Sequence, residues 1–137
     1  FEGHSSIVAS VCFSPNGEQI VSGSEDNTLK LWNTRGECLA TFEGHSNWVN
    51  SVCFSPNGEQ IVSGSYDGSM RVWDIETPKE LSRMYHLDSE WYSFDLENQT
   101  AKGTPMSWKL STLSDSEGET FRIDALRGFE VYPYMNN

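Results

Sequence analysis

The chain has 137 residues, with 20 Asp and Glu against 9 Lys and Arg and a formal net charge of −11. Phosphate backbones are held by cations that displace counterions, so this balance argues against nucleic acid and favours steering of basic proteins or peptides. No apolar run approaches the ~18 residues of a membrane span, and three cysteines without a Cys-x-x-Cys or Cys/His cluster suggest no zinc site and no disulfide framework, hence a reduced, cytoplasmic setting without cofactor or metal.

Phe1-Glu2-Gly3-His4-Ser5 opens the chain, and Val8, Val11, Cys12 and Phe13 follow with strand-like spacing. Ser14-Pro15-Asn16-Gly17 is a turn, because Pro presets one dihedral and Asn-Gly accepts positive φ. Gln19–Gly23 predicts a second strand, Glu25-Asp26-Asn27 a second turn, and the alternating Thr28–Trp32 a third strand. Thr34–Gly36 is a loop, and Glu37–Phe42 a fourth strand. Then the text starts again: Phe42–Ser46 repeats Phe1–Ser5, Val52–Ser65 repeats Val11–Ser24, and Trp73 repeats Trp32. Self-similarity at about 40 residues marks a repeat architecture in which neighbouring units bury one another. Four short antiparallel strands per unit is the grammar of a propeller blade. The units are residues 1–41 and 42–84, Lys79–Met84 supplying the last strand of the second.

With Gly-His, Ser-Pro-Asn-Gly, Ser-Gly-Ser, Asp and Trp-Asp in order and at matching spacing, residues 1 to about 84 resemble the WD-repeat β-propeller family. The first copy departs only to Trp32-Asn33 where the second has Trp73-Asp74. The resemblance implies an all-β fold, a partial WD-repeat propeller of two four-stranded antiparallel blades plus a divergent β-rich tail. It also implies a structural His, Ser, Asp and Trp hydrogen-bonded in series in each blade. By motif position these are His4, Ser22, Asp26 and Trp32, then His45, Ser63, Asp67 and Trp73, with Ser24 and Ser65 as less favoured serines. A Ser-His-Asp set invites thoughts of a nucleophile. Both sets, however, are copied with their surroundings and carry a Trp that catalysis does not need, so no catalytic residue and no enzyme is expected.

Residues 1–34 and 42–75 differ at 11 positions. In the third strand the changes are mild: Leu29 to Met70, Lys30 to Arg71, Leu31 to Val72. The drastic ones cluster elsewhere, as Ser6, Ile7 and Ala9 become Asn47, Trp48 and Asn50, and Glu25 and Asn27 become Tyr66 and Gly68. In an up-and-down blade these two clusters emerge at one end, whereas the opposite turn, Ser-Pro-Asn-Gly-Glu-Gln, is identical in both copies. Chemistry that varies at one end of a fixed scaffold is the pattern of loop-borne recognition. Trp48 and Tyr66 are the expected contact residues, since such aromatics dominate binding hot spots. The competing expectation for Trp48 is packing against a neighbouring blade. Near-identical repeats of this kind also resemble the repeat arrays of nucleotide-binding, innate-immune-type receptors of fungi and some bacteria.

Residues 85–137 lose the pattern. His86 stands where a third His would fall and Thr104 where a third Ser would, but Trp108 and Ser114 occupy the Asp and Trp positions. The tail is therefore read as a degenerate third blade, with strands at Trp91–Leu96, Met106–Leu110, Phe121–Asp124 and Phe129–Tyr132, or as a divergent appendage. Ser111–Thr120, rich in Ser, Asp, Glu and Gly, reads as a solvated loop. Two blades leave exposed edges and a half-open core that propellers resolve by closing the ring. The further blades are expected from the rest of a longer chain, or else from self-assembly. The leading expectation is a non-catalytic protein-interaction module or scaffold. The alternatives are an enzymatic or modification domain in the tail and purely architectural repeats.

Overall fold

The computed structural model describes residues 3–87, 90–103, 112–114, 120–122 and 130–133. The described residues form thirteen strands, with no helix among them. The first blade is a four-stranded sheet of β1 (Val8–Phe13), β2 (Gln19–Ser24), β3 (Leu29–Asn33) and β4 (Cys38–Phe42), each antiparallel to the next. The second repeats it with β5 (Val49–Phe54), β6 (Gln60–Ser65), β7 (Ser69–Asp74) and β8 (Lys79–Leu87). Even the irregularities are copied, with a register shift between Val8 and Ser10 in β1 and between Val49 and Ser51 in β5. Ala9 and Asn50, two of the variable residues, sit at those shifts. A bulge there re-aims a side chain at the strand end without disturbing the ladder beyond it.

The core lies between the two sheets. Val21, Leu29, Leu31 and Phe42 on one face of the first blade meet Val49, Val52, Phe54, Ile61 and Trp73 on the facing side of the second. Alternate residues of each strand point to opposite faces, which is why Leu29 and Leu31 enter this core while Trp32 joins the other face. The sheets approach closely at Gly23, where a Cβ would stand 2.7 Å from Val49 Cγ1 and 2.9 Å from Val52 Cγ1. Ser10 Oγ also accepts the Val52 amide at 3.2 Å across the gap.

The expected boundary at residue 84 falls inside β8, which runs three residues further. Its extra length pairs with β9 (Glu90–Asp95), and β9 with β10 (Thr100–Gly103), so these tail strands extend the second sheet at its outer edge. Phe94 is buried there, its ring 6.3 Å from that of Tyr85 in a T-shaped contact. β11 (Thr112–Ser114) and β12 (Thr120–Arg122) pair as a separate antiparallel hairpin. β13 (Glu130–Pro133) joins β10 in parallel. The loop expected over 111–120 thus gives way at Thr112–Ser114, where a Thr-Leu-Ser run facing Thr-Phe-Arg has the alternation of a strand. Thr104 and the run Met106–Leu110 lie outside the described residues.

Candidate functional site

Each blade carries one continuous hydrogen-bond chain. In the first, Trp32 Nε1 donates to Ser22 Oγ at 2.7 Å, Ser22 Oγ lies 2.7 Å from His4 Nε2, and His4 Nδ1 donates to Asp26 Oδ2 at 2.8 Å. In the second, Trp73, Ser63, His45 and Asp67 are joined in the same order at 2.8, 2.7 and 2.7 Å. The geometry fixes the direction of donation: a serine that accepts from an indole sends its own proton to Nε2, leaving Nδ1–H for the carboxylate. Both roles of the serine hydroxyl are consumed, and Ser63 is buried. Such a closed set fixes geometry and leaves no free nucleophile. Ser24 and Ser65 do a different job, accepting the Asp26 and Asp67 amides at 3.1 Å to shape the turn.

Two members of this network escaped the sequence reading. Thr28 donates to Asp26 Oδ1 at 2.7 Å and Ser69 to Asp67 Oδ1 at 2.6 Å, each through its hydroxyl and again through its amide. The signal was present, since the Thr28 to Ser69 change keeps a hydroxyl. Burial pushes the Asp26 carboxyl up, but hydrogen bonds from Thr28, His4 and the Ser5 amide outweigh it and hold the group well below the usual carboxylate range. Burial likewise opposes ionisation of Asp67, and His45 and Ser69 overcome it.

Lys30 to Arg71, read as mild, puts the same charge in very different settings in the two blades. Lys30 Nζ reaches Thr41 Oγ1 at 2.9 Å on an exposed edge. Arg71 is buried, with Nε donating to Ser69 Oγ at 3.1 Å, Nη1 3.0 Å from Glu80 Oε2 and Nη2 3.5 Å from Asp67 Oδ2. Glu80 in turn takes Arg83 Nε at 2.7 Å.

The variable residues do converge at one end. The Glu25 amide donates to Ile7 O at 2.9 Å and the Tyr66 amide to Trp48 O at 3.0 Å, tying each pre-strand loop to its turn. Ser6 Oγ reaches Glu25 Oε2 at 3.4 Å, and Ser65 Oγ donates to Asn47 O at 3.0 Å. Trp48 and Tyr66 stack edge to face with centroids 6.0 Å apart, and remain 47% and 63% exposed. Ile7 and Asn50 are exposed as well. Asn27 and Gly68 share a left-handed backbone, φ 71° and 82°, which the two residue types that tolerate it best fill interchangeably. That difference is a matter of turn geometry.

Two stacked four-stranded repeat units, the second lengthened by tail strands, with the same internal polar chain define a β-propeller repeat protein. The family model for the WD domain, G-beta repeat, matches residues 1–33 and 36–74, a little over half of the sequence, and the chain belongs to that family. It is 54% identical over 35 residues to the nuclear distribution protein PAC1 of Candida albicans, covering 26% of this chain and 7% of the other. Identity is 58% over 40 residues to the transcriptional corepressor LEUNIG_HOMOLOG of Arabidopsis thaliana, over 28% of this chain and 5% of that one. It is 54% over 33 residues to the vegetative incompatibility protein HET-E-1 of Podospora anserina, over 24% and 2%. The matched stretches span less than a tenth of these curated relatives. WD-repeat domains generally mediate protein–protein interaction and scaffolding and are generally non-catalytic.

Proposed function

We infer that this chain is an interaction module that takes a protein or peptide partner at the blade end bearing Asn47, Trp48, Asn50 and Tyr66, together with Ser6, Ile7, Ala9 and Glu25 of the first blade. The observation that carries the reading is the exposed Trp48–Tyr66 pair, set where two otherwise near-identical copies diverge most. Two rings held edge to face offer large contact area at little entropic cost, the usual make-up of a binding hot spot. The net charge of −11 favours a basic partner, whose approach it speeds. Three free cysteines suit a reducing, cytoplasmic setting.

A displayed peptide library panned on the folded chain tests this. Enriched sequences should carry Lys or Arg, and the Trp48→Ala/Tyr66→Ala double variant should lose them. Equal capture by that variant would remove the recognition role from this end.

A further inference from the structure

Cys12 and Cys53 hold the same repeat position, and the packing of the two blades brings them together. β1 and β5 lie side by side, joined where Ser10 Oγ accepts the Val52 amide at 3.2 Å. Alternate residues of a strand share a face, so Cys12 follows Ser10 onto the side of β1 turned toward the second blade. There it packs against the buried residues between the sheets. Cys53 stands one residue beyond the point on β5 that Ser10 touches, and the Cys12 thiol lies within hydrogen-bonding reach of its own.

Both thiols are held in the same way, Cys12 Sγ donating to Phe13 O at 3.4 Å and Cys53 Sγ to Phe54 O at 3.3 Å. A thiol is a weak donor, so turning either sulfur toward the other gives up little. Desolvation, and after it the neighbouring Cys12 thiol, push the Cys53 thiol up, which keeps it protonated and slow to react in reducing surroundings. Cys38 is apart from both, on β4 at the other edge of the first sheet, its sulfur 3.5 Å from Ala40 O.

We propose that Cys12 and Cys53 form a reversible disulfide that clamps the first blade to the second when the thiol–disulfide balance turns oxidising. The oxidant is a small-molecule disulfide such as glutathione disulfide. One cysteine thiolate attacks it, forming a mixed disulfide and releasing one glutathione thiolate. The other cysteine thiolate then attacks the protein sulfur of the mixed disulfide and releases the second glutathione. Two cysteines are oxidised, one glutathione disulfide is reduced to two thiols, and the cysteine protons end on the released glutathiones. The bond ties β1 to β5 close to the strand shifts at Ala9 and Asn50, so it fixes the two variable loops relative to each other. A cross-link between residues distant in sequence restricts the unfolded chain and so favours the clamped fold. None of the recognition residues takes part in it.

Equilibration of the Cys38→Ser chain in glutathione redox buffers, quenched with acid and read by intact mass, is the test. Cys38 is exposed, so its replacement leaves the fold in place. The folded chain should accumulate a monomeric species lighter by two hydrogens, restored to full mass by dithiothreitol, and oxidation should raise its urea midpoint. At one glutathione ratio, the proportion of cross-linked to open chain should be roughly thirtyfold or more higher in the folded than in the urea-unfolded chain, since cross-linking and folding are linked. Cys12→Ser or Cys53→Ser in the same background should stop at the mixed disulfide. Products limited to mixed disulfides, a cross-link no more favoured in the folded chain than in the unfolded one, or an oxidised chain with a lower urea midpoint would each overturn the proposal. The Trp48→Ala/Tyr66→Ala variant should clamp as the parent chain does, which separates this outcome from failure of the recognition end.

Discussion

Replacing Asp67 by Asn should destabilise the chain by roughly 3–5 kcal/mol, and Asp26 by Asn by only about 1–3 kcal/mol. At Asp67 four donors converge: His45 Nδ1 at 2.7 Å, the Ser46 amide at 3.2 Å, and the Ser69 amide and hydroxyl at 2.8 and 2.6 Å. An amide offers one acceptor oxygen. If it keeps Ser69, then His45 and Ser46 each face an NH2, and an orphaned buried donor costs on the order of 1–3 kcal/mol. The variant also strips a countercharge from the buried Arg71 guanidinium. At Asp26 the same four kinds of donor converge, but Lys30 sends its charge to Thr41, and His4 and Ser22 border an open groove where water can compensate. Urea unfolding at a fixed protein concentration, followed by tryptophan fluorescence, reads the difference as a change in midpoint at constant slope. Equal losses, or a larger loss for Asp26→Asn, would refute the assignment of extra stability to burial and to Arg71.

Arg71→Leu leaves Asp67 and Glu80 without their shared cation and should cost about 3–5 kcal/mol by the same urea assay, whereas Lys30→Ala should stay within about 0.5 kcal/mol. Acid should unfold the chain early. Asp26 and Asp67 bind protons more weakly folded than unfolded, so their contribution is complete above the ordinary carboxylate range and is lost as pH falls below about 4. Thermal midpoints taken down that range should drop steeply, and Asp67→Asn should flatten the drop. Gly68→Ala forces a Cβ into φ 82° and should cost about 1–2 kcal/mol, while Asn27→Gly should change stability by no more than about 1 kcal/mol in the same denaturation series.

Repetition is what made the blades legible. A single Ser or Asp among many carries little information, but Ser22 with Ser63 and Asp26 with Asp67, each copied within its surroundings, mark positions that the fold reuses. The Arg71–Glu80–Arg83 cluster lay beyond that method. Trp73 pairs with Glu80 where Trp32 pairs with Cys38, so the second connection is one residue longer and the copies slip out of alignment just before Glu80. Arg71 then read as a conservative partner of Lys30, because Cys38, which stands where Glu80 does, gives no hint of the carboxylate that makes its burial tolerable. Asn27 and Gly68 misled in the opposite direction: their divergence looked like freedom to vary, whereas both answer the same positive φ. The tail was opaque because β9 and β10 owe their place to the lengthened β8 edge, a partner-dependent cause that no internal period encodes.

Amide chemical-shift mapping of a library-selected peptide on the folded chain reads recognition at the Trp48–Tyr66 end residue by residue. Shifts should concentrate at residues 46–50 and 65–68, with the opposite turn at residues 55–60 unmoved. Shifts centred on residues 55–60, or confined to the open groove around Val11 and Phe13, would contradict it.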